Sequence, residues 1–261
     1  MMTFPAGTFT PAPGRGSLGH MLRTHARVEA SLTLRHGEQI LLTLLIPLAL
    51  LIGLSLLNIL PAAQLGSTSK VDWMTPRVLA LAVMSSAFTG QAIALGFDRR
   101  YGVLKRLSAT ALPRWLLVAG RVVAALVVVA LQSVIIGVVA LLLGWSPSGA
   151  GVFAAVVLLF FGTLAFGALG VLLGGALRAE AVLALANIVW FVLLLAGGIL
   201  LAPSTMPSGV GVIVSLLPSG ALAEGLRAAL VDGTFAWGPL GVLVVWAVVA
   251  GAVASRTTRL T

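Results

Sequence analysis

Few residues in this 261-residue chain could take part in chemistry, because only 9% of them carry a formal charge. Cysteine is absent, which excludes thiol catalysis, disulfides and Cys-ligated metals. The three histidines, at positions 20, 25 and 36, have neither metal-ligand spacing nor a carboxylate cluster beside them. The two lysines, Lys70 and Lys105, lie outside any Gly-x-x-x-x-Gly-Lys-Ser/Thr phosphate loop. The sequence therefore predicts no catalytic residue, no metal site and no cofactor-binding site on this chain.

The densest run of charge lies at residues 98–114. Within this run Leu104 and Leu107 stand one helical turn apart, and Lys105 and Arg106 point elsewhere. This spacing predicts a short helix with a two-leucine knob and a basic rim, which is typical of an element that docks onto another protein. The alternative is a basic loop whose charges only set the orientation of the chain in a membrane.

These residues must be positioned by a fold that is mostly apolar. Hydrophobic residues make up 59% of the chain and the mean hydropathy is +1.12, which excludes a soluble enzyme, a disordered chain and a disulfide-built secreted module. The apolar stretches lack the alternation of barrel strands, so the sequence predicts an all-α integral membrane protein. Six stretches are long enough to cross a bilayer, at about 39–60, 78–97, 115–143, 152–173, 183–202 and 237–254.

The basic residues predict the orientation of these spans. Thirteen of the sixteen Lys and Arg residues fall on one side of the predicted topology, and only Lys70, Arg77 and Arg227 fall on the other. By the positive-inside rule both termini are cytoplasmic. Topology thus explains the net charge of +9, and no nucleic-acid partner is predicted. Residues 1–17 are rich in Pro and Gly and are predicted to be a disordered tail, whereas 18–258 form a single transmembrane domain.

Two regions outside the spans have helical patterns of their own. In residues 17–38 an apolar side opposite Arg23 and Arg27 predicts an N-terminal helix that lies in the cytoplasmic interface, with a short solvated helix as the alternative. Residues 203–236 predict two re-entrant half-helices between spans five and six. They are either an outer gate or a structural lid. The candidate gate residues are Pro203, Pro207, Pro218, Glu224 and Arg227.

The polar residues within the predicted spans are almost all neutral. Arg121 is the one ionisable residue there, which argues against an ion-coupled secondary transporter, although sodium held by backbone carbonyls keeps that alternative open. Hydrogen bonding between helices is the ordinary role of neutral polar groups in spans. A pathway for an amphipathic or lipid-like compound is the other role. Its candidate lining residues are Asn58, Thr89, Gln91, Gln132 and Asn187.

These features, in this order, resemble the membrane subunit of type-2 ABC exporters, the group that includes the daunorubicin-resistance permeases. In that family the segment after span two runs approximately acidic-Arg-Glu-x-Gly-Thr-Leu-x-x-Leu-x-x-Thr-Pro, followed by Arg-Trp. Here Arg100, Val103 and Ala111 depart from the pattern. The residues in register are Asp98, Arg99, Gly102, Leu104, Leu107, Thr110, Arg114 and Trp115. A second match runs from Ala196-Gly197-Gly198 to Leu226-Arg227-Ala228-Ala229-Leu230.

The resemblance implies an elbow helix, six spans, a cytoplasmic coupling helix and re-entrant half-helices. It also implies that Asp98, Arg99, Gly102, Leu104, Lys105, Arg106, Leu107 and Thr110 couple the chain to an ATPase. The implied partners are an ATP-binding cassette subunit, which would hold ATP and Mg, a second permease that is identical or different, and membrane lipid. The implied function is export of a drug, antibiotic or lipid-like compound across the cytoplasmic membrane. The alternative from another class is a membrane scaffold or assembly factor that transports nothing.

Overall fold

The computed structural model describes residues 16–35, 37–57, 68–108 and 114–257, and the described part of the chain is helical without a strand. A π-helical segment, Met84–Gly90, directly joins the helices Lys70–Val83 and Gln91–Arg100. The helices are α1 (Leu18–Arg35), α2 (Gly37–Leu56), α3 (Lys70–Val83), α4 (Gln91–Arg100), α5 (Val103–Ser108), α6 (Arg114–Leu142), α7 (Val152–Ala176), α8 (Ala179–Ala196), α9 (Ser208–Leu216), α10 (Pro218–Leu230) and α11 (Trp237–Thr257).

The prediction of an all-α integral membrane protein is confirmed. Among the described residues, five helical stretches are long and apolar enough to cross a membrane, and there are six if α9 and α10, which meet at 88°, count as one broken span. The five are 70–100, 118–142, 149–176, 179–196 and 237–256. The first predicted span corresponds to α2, whose apolar part, Thr43–Leu56, is shorter than these; residues 58–60 lie outside the described part.

The second predicted span begins too late in the sequence. The helix starts at Lys70 rather than near residue 78, because Ser69 caps it: the Ser69 hydroxyl oxygen accepts a hydrogen bond from the Asp72 N–H at 3.1 Å. Arg77 therefore lies inside the second span. The prediction that Arg121 is the one ionisable residue within the spans is wrong for this reason.

The core is built around α7, which packs against the π segment, α4, α10 and α11. Two glycines of α7 allow this close approach. A Cβ atom at Gly170 would lie 2.8 Å from the Phe88 carbonyl oxygen, and one at Gly174 would lie 2.5 Å from the Ala92 carbonyl oxygen. Only glycine fits at these two crossings without moving the backbone of the second span, as the Gly-x-x-x-Gly spacing predicts.

The first helix, α1, packs mainly along α6. At this contact Ala26 is buried and the ring of His25 fills the space above Gly120. Leu18 and Leu32 of this helix are exposed. A helix is therefore present at Leu18–Arg35, within the predicted range 17–38, and its position in the cytoplasmic interface stays a prediction.

Different polar contacts hold the helices together at the two ends of the bundle. At the arginine-rich end, Arg99 donates hydrogen bonds to the carbonyl oxygens of Gly174 and Leu177, and Arg100 pairs with Glu180. At the opposite end, the Ser146 N–H donates a hydrogen bond to the Asp72 carboxylate at 3.0 Å, which ties the connection between α6 and α7 to the start of α3.

Candidate functional site

A partly polar cavity lies at the arginine-rich end of the bundle. Its volume is about 300 Å³, and it is enclosed by α1, α2, the π segment, α4, α6 and the first residue of α5. Its lining residues are Glu29, Leu32, Thr33, Thr43, Ser86, Gly90, Gln91, Ala94, Asp98, Val103, Arg121, Ala125 and Val128. The cavity combines charged, amide and apolar side chains, as a site for a small amphipathic molecule does.

The π segment shapes one wall of this cavity. A π-helix carries one extra residue per turn and is frequent at functional sites. Here it places Ser86 and Gly90 on the cavity just before Gln91, the first residue of α4. The indole N–H of Trp190 on α8 donates to the Ser85 hydroxyl at 2.9 Å, which anchors the segment from behind.

An ion pair forms part of the lining of this cavity. Arg121 is 7% exposed and donates to an Asp98 carboxylate oxygen. Glu29 on α1 also lines the cavity, and its carboxylate lies 3.8 Å from His25 Nε2. Among the described residues, two carboxylates and one guanidinium therefore belong to the lining of the cavity.

Two of the predicted pathway residues belong to or border the cavity. Gln91 lines it, and its Oε1 atom is buried without a hydrogen-bond partner among the described residues. The buried side chain of Gln132 donates to the hydroxyl oxygen of Thr43, a lining residue, at 3.0 Å. Of the predicted pathway residues, the structure therefore brings Gln91 and Gln132 together at one cavity.

The other three predicted pathway residues lie elsewhere. Thr89 lies in the π segment, and its hydroxyl is buried without a hydrogen-bond partner among the described residues. Asn187 is exposed on α8, where its amide donates to the Leu183 carbonyl oxygen at 2.8 Å. Asn58 lies outside the described residues.

The predicted coupling segment is a helix that packs into the bundle. α4 ends at Arg100, and Gly102 adopts a positive φ of 68° that turns the chain into α5. Leu104 is 3% exposed and packs against Leu95, Val171 and Ala254. The expected exposed knob is therefore wrong for Leu104, because the four-residue spacing of a short helix does not tell which of its faces the bundle covers.

The exposed part of the coupling segment is basic and aromatic. Tyr101 is 65% exposed and stacks on Phe97, with ring centroids 6.0 Å apart. Lys105 and Arg106 are exposed on α5, and Arg106 donates to the Tyr101 carbonyl oxygen at 3.3 Å. Asp98 and Arg99 face inward, to Arg121 and to the end of α7 respectively. Thr110 and the side chain of Leu107 lie outside the described residues.

The predicted gate residues form the opposite end of the bundle. Pro203 opens a short 3₁₀ turn, Pro207 precedes α9, and Pro218 starts α10 after the 88° bend. The Ser219 hydroxyl donates to the Gly197 carbonyl oxygen at 2.7 Å, which fixes the bend onto the end of α8. Two short helices that meet at a sharp bend, α9 and α10, therefore lie within the segment for which re-entrant half-helices are predicted.

A buried ion pair, which the sequence did not indicate, connects this bent pair to α3. Arg77 is fully buried and donates to Glu224 at 2.7 Å and to the Trp73 carbonyl oxygen at 3.0 Å. Its guanidinium carbon also lies 3.9 Å from the centre of the Trp73 ring. Arg227 pairs with Glu224 at 2.9 Å and with Asp232 at 3.0 Å. We name these four charged residues, Arg77, Glu224, Arg227 and Asp232, the outer ion network.

A second, larger cavity has a different character. It measures about 520 Å³ and lies between α6, α7 and α11, where Trp115, Phe161, Gly167, Val248 and Ser255 are among its lining residues. Its lining is almost entirely apolar. It can hold a hydrocarbon chain but has little to orient a polar group, so the cavity beside Gln91 is the better candidate for specific binding.

Comparison with known proteins identifies one related family. The chain matches the family described as ABC-2 type transporter over residues 22–231. No curated protein matches the chain. The matched range begins within α1 and ends directly after α10, so it contains the cavity beside Gln91, the turn into α5 and three members of the outer ion network.

Proposed function

The chain belongs to the ABC-2 type transporter family, and from that membership we propose that it exports a hydrophobic or amphipathic compound across the cytoplasmic membrane. It is a permease subunit of an ABC transporter and a multi-pass membrane protein. Permeases of this family carry no ATPase motif and typically work with an ATP-binding subunit. ATP and Mg would therefore be held by that partner. The narrower resemblance to daunorubicin-resistance permeases stays a prediction.

The observation that carries this proposal is the position of the cavity beside Gln91. The cavity lies at the arginine-rich end, which the positive-inside rule assigns to the cytoplasm together with both termini. It also includes Val103, the first residue of α5. A compound entering there would load from the cytoplasmic side, which supports export, and would contact the helix proposed to couple the chain to its ATPase.

We place the ATPase-docking surface on the exposed residues of the coupling segment, Tyr101, Lys105 and Arg106. A basic and aromatic surface is suited to an acidic groove, since opposite charge favours association and aromatic side chains supply contact area. Leu104 supports this surface from beneath by holding α5 to the bundle.

A second permease, identical or different, and bilayer lipid are the other proposed partners. The apolar exposed face of α8, with Ile188, Phe191 and Val192, is available to either.

The proposal is tested by association with an ATPase. ATP-binding cassette subunits of the source organism are co-expressed one at a time with the tagged chain, and co-purification is quantified. One of them should bind. Reversing both charges, with Lys105→Glu and Arg106→Glu, should lower the amount bound by about tenfold, because two attractive charges become repulsive in the interface.

The matched control reverses another arginine at the same end of the bundle. Arg256→Glu changes an exposed charge on α11, outside the proposed docking surface, and should leave association unchanged. Equal loss in both variants would show that association depends on overall charge rather than on α5. Failure of every ATPase subunit to bind would favour a scaffold that transports nothing.

A further inference from the structure

The cavity beside Gln91 has spare hydrogen-bond acceptors. The Thr33 hydroxyl donates to the Glu29 carbonyl oxygen at 2.9 Å, and the Ser86 hydroxyl donates to the Ala82 carbonyl oxygen at 2.8 Å. Both hydroxyl protons are therefore used within their own helices. Gln91 Oε1 is buried without a donor among the described residues. A buried carbonyl oxygen without a donor costs free energy, so a ligand that donates a hydrogen bond to it is favoured.

The charge of the lining favours a cation. Among the described residues that line the cavity are two carboxylates, Glu29 and Asp98, and one guanidinium, that of Arg121, which is already paired with Asp98. Among the described residues, the ion-pair partner of Glu29 is His25, whose Nε2 atom lies 3.8 Å from the Glu29 carboxylate. An anion in this cavity would be repelled by two carboxylates. A monovalent cation would instead balance the charge of Glu29, which has no arginine partner among the described residues.

The rest of the lining is suited to an apolar body. Leu32, Ala94, Val103, Ala125 and Val128 form the apolar share of the surface. A volume of about 300 Å³ is large enough for a small aromatic or aliphatic group. The polar residues and the apolar residues come from different helices, so a ligand with a charged head and an apolar body can contact both kinds at once.

We infer that this cavity binds the protonated amine of an amphipathic molecule, with the ammonium facing Glu29 and donating a hydrogen bond to Gln91 Oε1. The inference deepens the proposed function, because it rests on this molecule being the transported compound. An amine in the cavity would also contact Val103 at the start of α5, so its binding would be felt by the coupling segment.

The test compares three probes of similar shape and different charge. The full chain is reconstituted in lipid nanodiscs, and binding of 2-phenylethylamine, 2-phenylethanol and 3-phenylpropanoate is measured by calorimetry, with empty nanodiscs as the blank. The amine should bind about tenfold more tightly than the alcohol, since a hydrogen bond between charged groups is stronger than one between neutral groups. The carboxylate should bind more weakly than the alcohol.

The variants locate the preference. Glu29→Gln keeps the size of the side chain and the Arg121–Asp98 pair, and should remove most of the tenfold preference while leaving alcohol binding unchanged. Gln91→Leu should weaken the amine by a smaller factor, because it removes one neutral acceptor. Glu180→Gln makes the same chemical change at an exposed carboxylate outside this cavity and should leave all three affinities unchanged.

Each other outcome overturns the inference. Equal affinity for amine and alcohol, tighter binding of the carboxylate, an unchanged preference in Glu29→Gln, or no binding of any probe would each contradict it. Association with the ATPase is measured separately. A chain that binds an ATPase but shows no preference for the amine retains the proposed function without this substrate class, whereas a chain that prefers the amine but binds no ATPase retains only the binding site.

Discussion

Replacing Glu224 by glutamine is expected to lower the free energy of unfolding by about 3–5 kcal/mol, because it leaves a buried arginine without its carboxylate. Arg77 is 1% exposed at its side chain, and Glu224 is the carboxylate paired with it. Without that charge the guanidinium keeps, among the described residues, the Trp73 carbonyl oxygen and ring, and it faces a neutral amide instead of a carboxylate. Thermal unfolding of the purified protein, followed by fluorescence, measures the change.

Two other variants of the outer ion network provide the comparison. Arg77→Met should cost less than Glu224→Gln, because Glu224 keeps Arg227 as a partner and is 27% exposed. Asp232→Asn should change stability by less than about 1 kcal/mol, since Asp232 is 43% exposed and screened by solvent. The expected order of melting temperatures is Asp232→Asn, then Arg77→Met, then Glu224→Gln as the lowest. A melting temperature for Glu224→Gln equal to that of the unchanged protein would show that the pair does not hold α3 to α10.

Leu104→Asp is expected to abolish coupling while the spans still insert. A carboxylate at this position would lie among Leu95, Val171 and Ala254 without a partner, which costs at least about 1–3 kcal/mol and favours release of α5 from the bundle. The proposed docking surface of Tyr101, Lys105 and Arg106 would then no longer move with the membrane helices. Membrane fractionation measures insertion, and ATPase co-purification with ATP hydrolysis measures coupling.

The conservative change at the same position is the control. Leu104→Met keeps the volume and the apolar character, so it should retain both insertion and coupling. If Leu104→Asp shows the same association and hydrolysis as the unchanged chain, then the packing of α5 on the bundle is not needed for coupling.

Hydropathy predicted most of the helices because the span-forming stretches are long and bounded by charges, prolines or glycines. The limits of α7 and α11 agree closely with the predicted stretches at 152–173 and 237–254. Helix starts that depend on a cap were less predictable. The second span was expected to begin near residue 78, because a window average gives the charges at Lys70, Asp72 and Arg77 more weight than the cap at Ser69.

Some residues of the candidate site were also predictable from the sequence, whereas others depended on tertiary contacts. Gln91 was predicted from its type and its place in a span, and the structure places it on a cavity. The pairing of Arg77 with Glu224 joins residues 147 positions apart, which no local pattern reveals. Leu104 was assigned the right helix and the wrong face, since six residues make too few turns for periodicity to separate a covered side from an exposed one.

Glu29 illustrates a different limit. No role was predicted from the sequence for this carboxylate in α1. Its place on the cavity depends on α1 packing along α6, which is a tertiary contact. An acidic residue in an amphipathic helix does not by itself indicate which part of the bundle it lines.

The central claim is that this chain is the membrane subunit of a transporter whose ATP hydrolysis belongs to a partner. The most direct measurement is ATP hydrolysis by three reconstituted samples: the chain alone, its co-purified ATP-binding cassette subunit, and the complex of both. We expect no hydrolysis by the chain alone and hydrolysis by the complex that falls when Leu104 is replaced by Asp. Robust hydrolysis by the chain alone, or hydrolysis by the partner that is the same with and without the chain, would contradict the claim.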